Sequence, residues 1–174
     1  MVADDSDPFT PLFRACTRSA VHLEMRDGYM RDDPWYIDWQ AGIRHSPTDR
    51  ASWWAPWHDL TLESAGRGVV IRRARVVSEP ISDYVRYEYD ITFTNIVAGE
   101  QVRWLPRRLA TDIALPGNDF WLFDDETLLI NHFSGDGDST GHDIIRDPDV
   151  VKLCSTAFEM VWARGTPHDD YRPA

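Results

Sequence analysis

A chain of 174 residues is long enough for one domain that buries roughly 70% of its unfolded surface, and it is short for two. Hydrophobic residues at 43% and charged residues at 27% exclude wholesale disorder, while a formal net charge of -11 repels a phosphate backbone and excludes nonspecific nucleic-acid binding as the work of the whole chain. The acidic, polar N-terminus does not read as a signal peptide, and no apolar run approaches the ~20 residues of a membrane span, so a reducing cytoplasm is the expected compartment.

Residues 1–11 are acidic and punctuated by proline, and read as a flexible arm. A short helix follows with Leu12, Phe13, Cys16 and Ala20 on one face. Val21, Leu23 and Met25 then alternate with His22, Glu24 and Arg26, the pattern of a half-buried strand ended by Asp27-Gly28. Asp33-Pro34 opens a capped helix that Gly42 stops, and Ala55-Pro56-Trp57 opens another that closes at Gly66 and Gly68. Val69 to Val77 is dense in β-branched residues and reads as a strand. Its Arg72, Arg73 and Arg75 fall on both faces, so at least one must reach a carboxylate or the sheet rim.

Ile81 to Ile91 has a helical period, with Thr92 to Thr94 expected to fray toward extended structure, and Gln101 to Leu105 reads as a short strand ended by Pro106. A loop over 110–118 leads into the central feature, Asp119 to Phe133, two strands folded on each other with Phe120 and Leu122 on one face and Trp121 and Phe123 on the other. Both faces are too apolar for water, so the sheet is expected to be covered on both sides. Gly141 to Arg146 completes it. Asp147 then caps, Pro148 takes the first helical position, and Val150, Cys154, Ala157, Phe158, Val161 and Trp162 form one apolar stripe before Arg164 and Gly165 end the helix. Thr166 onward reads as a polar tail from 167 to 174. The expected fold is one α+β domain over 12–166, a mostly antiparallel twisted sheet of five or six strands covered by helices.

The stretches Ser82-Asp-Tyr-Val-Arg-Tyr-Glu88, Val102-Arg-Trp-Leu-Pro-Arg107, Asp119-Phe-Trp-Leu-Phe-Asp124 and Asp147-Pro-Asp-Val-Val151 resemble a domain of unknown function widespread in actinomycetes, from about Leu12 onward. Members are often encoded beside a small helix-turn-helix regulator, which implies a regulatory or accessory role through protein-protein contact. The resemblance brings no catalytic residue with it. The Trp53, Trp54 and Trp57 cluster is richer in tryptophan than the resemblance leads one to expect.

Chemical motifs are sparse. Asp136 and Asp138 mimic the start of a calcium loop, yet a glycine-rich turn explains the same residues, and none of the six histidines has zinc-site spacing, so no metal is expected. No phosphate-binding loop and no nucleophile elbow is present, and no cofactor is expected. Cys16 and Cys154 stand alone and read as buried free thiols. Between Arg67 and Arg108 lie eight arginines against five acids. Internal pairing accounts for them first, and beyond that Arg107, Arg108, Trp104 and Tyr84 are the candidate rim of a small anionic ligand or partner site. Should the chain instead be a small hydrolase or nuclease-like enzyme, its candidates are Arg107, Asp124 and His132. A ligand sensor with a Trp-lined pocket is the third reading.

Overall fold

The computed structural model describes residues 7–174. Five helices and seven strands run in the order α1 (Phe9–Ala15), β1 (Ser19–Glu24), α2 (Pro34–Gln40), α3 (Pro56–Gly66), β2 (Val70–Val77), α4 (Asp83–Val97), β3 (Glu100–Pro106), β4 (Asp119–Phe123), β5 (Thr127–Phe133), β6 (Ser139–Ile145), α5 (Pro148–Arg164) and β7 (Thr166–Pro167). The strands form one sheet in the order β6-β5-β4-β1-β2-β3-β7. β1, β2 and β3 run parallel to one another, and every other pairing is antiparallel. This is the α+β domain expected, with one strand more than the upper count.

Helix boundaries follow local chemistry. Asp147 accepts the N–H groups of Asp149 and Val150 at the start of α5, Asp33 accepts that of Trp35 at α2, and Ser82 accepts that of Val85 at α4. α4 continues to Val97, past the fraying expected at Thr92 to Thr94, because Thr92 and Thr94 are buried in the interior and Gly99, at φ 102°, supplies the stop. Of the arm expected over 1–11, residues 1–6 lie outside the described residues, and Phe9 already begins α1. The C-terminal stretch expected as a polar tail packs on the sheet: Tyr171 is buried and stacks on Trp104 with ring centroids 5.5 Å apart, and the His168 backbone N–H donates to the Val102 carbonyl.

The sheet is covered on both faces. One face presents Val21, Leu23, Ala74, Phe120, Leu122 and Leu128 to Val151, Cys154, Phe158 and Val161 of α5, a closed aliphatic and aromatic layer. On it Arg72 pairs with Glu159 at 2.6 Å and lies 4.9 Å over the Phe158 ring, so its stem covers apolar surface while its head reaches solvent. The opposite face is covered by α1 and α3 at one end, where Phe13, Ile71, Trp121, Phe123 and Leu129 pack, and by α4 and α2 at the other. Between those two patches the inner positions of β1 and β2 are charged, and there the site lies. Among the described residues no helix is long and apolar enough to cross a membrane.

Candidate ligand-binding site

Strand alternation builds the floor. His22 and Glu24 on β1, Arg73 and Arg75 on β2, and Asp119 on β4 all point to the face opposite α5, and α4 adds Glu88 from above. Arg73 donates Nε and Nη2 to Glu100 at 2.8 and 3.2 Å and Nη1 to Glu24 at 2.7 Å. Arg75 donates to the second Glu24 oxygen at 2.5 Å and to Thr92 at 2.7 Å, with Glu88 3.4 Å from its remaining nitrogen. Asp119 accepts the Met25 N–H at 2.9 Å and the Tyr29 hydroxyl. All of these side chains are buried.

Over this floor stands a chamber of about 660 Å³ between the sheet and α2, α3 and α4, with Trp35, Trp57, Trp121, Tyr84 and Tyr87 among its walls. His22 lines it, stacked on Trp121 at 4.3 Å, and its Nδ1 has no hydrogen-bond partner although the residue is 7% exposed. Burial pushes the His22 imidazolium well down, so the ring is neutral. Burial pushes Glu88 up to about 8, against the pull of Arg75 and with the help of Glu24. It pushes Asp119 up to about 6, despite the Tyr29 hydrogen bond. Glu24 goes the other way: burial opposes its charge, and the two guanidiniums outweigh burial and hold it well below the usual range.

A smaller cleft of about 370 Å³ opens beside the chamber at the strand ends, sharing Asp119, Asn131 and Phe133 with it and lined by Arg26 and Arg107. Arg26 donates to the Ser134 carbonyl at 3.0 Å and lies 5.6 Å over Phe133, but its Nε is buried without a partner. Arg107 donates to Ser78 at 3.1 Å and to the carbonyls of Met25 and Val76 at 2.5 and 3.1 Å.

The other sequence candidates are dispersed. Asp124 sits at the far end of β1, where it accepts the backbone N–H groups of Thr17, Arg18 and Ser19 at 2.9, 2.7 and 2.9 Å; burial opposes its charge, but those donors hold its carboxyl well below the usual range. His132 is on β5, on the face turned away from the chamber, and meets Asp143 at 2.9 Å. Arg107, Asp124 and His132 are therefore not brought together. Of the expected rim, Tyr84 is a chamber wall and Arg107 lines the cleft, whereas Arg108 is exposed beside Glu79 and Trp104 is sealed under Arg75, its indole N–H donated to His168 at 3.1 Å. Trp57 lines the chamber, Trp53 is buried with its N–H on the Ser46 carbonyl, and Trp54 donates to Asp59. Cys16 and Cys154 are free and buried, and burial pushes Cys16 up to about 11. Among the described residues no group of three or more histidine, cysteine or acidic side chains is placed to hold a metal.

Sequence reasoning missed His22, Glu24, Glu88 and Asp119 as site residues. A signal was present: His-x-Glu and Arg-x-Arg put like side chains on one strand face, and that face also carries the apolar positions of the interior.

The sequence profile of the family described as Domain of unknown function (DUF6879) matches residues 7–173, and the chain belongs to that family. No curated protein matches it. Among solved structures it is similar to Nuc of Salmonella typhimurium, a phospholipase D family member, at TM-score 0.48 and 10% identity, covering 98% of this chain and 94% of that one. It is similar to NucT of Helicobacter pylori at TM-score 0.49 and 8% identity, covering 91% and 87%. It is also similar to TrmBL2, an archaeal chromatin protein, at TM-score 0.48 and 13% identity, covering 90% of this chain and 48%, about half, of that chain.

Proposed function

We propose that this DUF6879 domain is a small-molecule-binding accessory protein, whose occupied chamber alters its contact with a helix-turn-helix regulator. The chamber carries the reading: about 660 Å³ is the size of a ligand site, its walls are rings, and a buried imidazole among its lining residues has a nitrogen without a hydrogen bond, 3.6 Å from Glu24. The partner half is supported by charge. A net charge of -11 disfavours contact with DNA by this chain and leaves that contact to a basic partner. The chamber is tested with a library of organic fragments screened by ligand-observed NMR against the parent and Thr94→Trp, which fills the chamber from α4. Hits lost in the variant support the reading, and an absence of hits, or hits that survive, would overturn it. The partner is tested by co-purification of the regulator with and without a hit.

A second reading places a small anion in the neighbouring cleft, because Arg26 Nε is buried there unpartnered and Arg107 lies beside it. Binding of inorganic phosphate or acetate that disappears in Arg26→Gln supports it, and binding unchanged by that substitution removes it.

A further inference from the structure

The charge count of the chamber floor decides what it can hold. Four buried carboxyls, Glu24, Glu88, Glu100 and Asp119, face two guanidiniums, and the imidazole among them is desolvated and neutral. Arg73 has all three nitrogens committed to Glu24 and Glu100, and Arg75 divides its own between Glu24, Thr92 and Glu88. An incoming anion finds no free cation on this floor. The surplus lies with acceptors: Asp119, which takes a single hydroxyl beyond its backbone bond, and Glu88, whose nearest cation is 3.4 Å away and shared; the Nδ1 of His22, 3.6 Å from Glu24, also makes no hydrogen bond. Around them the aromatic rings present electron-rich faces, which attract a cation in a desolvated space.

We infer that the chamber binds an organic cation, an amine or amidine with several N–H donors on a flat apolar body. The head would be received by Asp119 and Glu88, and the body would lie between Trp35, Trp57 and Trp121. The raised Glu88 and Asp119 agree with this, since each is a carboxyl that lacks the positive charge a ligand would bring. The inference rests on the chamber being a ligand site and adds the ligand's charge.

Three probes of one shape and different charge test it on the unmodified chain by titration calorimetry: tryptamine, tryptophol and indole-3-acetate. Tryptamine is expected to bind at least about tenfold more tightly than either of the others. Its advantage should grow from pH 6 to pH 8.5, as Asp119 and Glu88 ionise while an alkylammonium stays charged. In the near-isosteric pair Asp119→Asn with Glu88→Gln, the advantage should fall to about threefold or less. Tryptophol or indole-3-acetate binding as well as tryptamine would overturn the cation preference and leave the chamber reading intact. Binding by none of the three would remove both. Tryptamine binding that ignores pH and survives the double substitution would place the amine elsewhere and sink the inference.

Discussion

Toward α5 the strands present Val21, Leu23, Ala74, Phe120 and Leu122; on the opposite face the same strands present His22, Glu24, Arg73, Arg75 and Trp121. Both sets are buried. The first is held by area removed from water and close packing, which forgive a shift of one atom but not a void. The second is held by ion pairs whose attraction must exceed the cost of taking charges out of water, and it gains nothing over an apolar core unless every group is used. Here two carboxyls and one imidazole nitrogen go incompletely used, beside an open chamber. A chain that keeps such groups buried at the centre of its sheet forgoes stability there, as sites commonly do.

The largest break should come on the dry side. Phe158→Ala removes a fully buried ring from α5 and is expected to cost about 3–5 kcal/mol in chemical denaturation; a loss below 1 kcal/mol would show that α5 does not hold that face. The wet side should instead answer to pH. The folded protein keeps a proton on Glu88 up to about 8 that the unfolded chain releases at ordinary carboxyl values, so stability falls as pH rises through that window and levels off above it. Glu88→Gln cannot release that proton. Relative to the parent it should gain about 1–3 kcal/mol between pH 6 and pH 9, and parallel stability curves for the two proteins would refute the assignment.

Smaller effects mark the borders of the comparison. Asp124 has φ 54°, so Asp124→Gly keeps the turn backbone easy while deleting the acceptor for three N–H groups; a loss of about 1–2 kcal/mol is expected, and no loss would mean water replaces the carboxylate without cost. Arg108→Ala, at an exposed pair with Glu79, should move the melting point by less than about 1 kcal/mol equivalent, and a larger change would place Arg108 in the structure proper.

The dry side was legible because helical and strand periods coincide with it: the stripe of α5 from Cys154 to Val161, its Asp147-Pro148 start and its Gly165 end are local facts, and so is the Asp119 to Phe133 hairpin, although at the head of the stripe Val151 is buried and the expected Val150 is exposed. The chamber was not. Arginines on β2 read correctly as needing carboxylates, but their partners are Glu24, Glu88 and Glu100 from three other elements, and nothing local to those residues says that they meet. Tyr171 shows the same limit. One ring in a polar stretch carries no period, and its value comes from Trp104, nearly seventy positions earlier in the chain.

The place of β1 in the sheet has a consequence in time. Its one neighbour, β2, begins at Val70, whereas the other, β4, begins at Asp119, and the two partners arrive separately during synthesis. At about 5–20 residues per second, several seconds pass after β2 emerges in which the second edge of β1 has no strand to pair with. The segment Ala20 to Leu23 on that edge is then a ready template for another nascent chain. Yield from this gene should therefore depend on chaperones and on slow expression at low temperature more than the finished domain's stability would indicate.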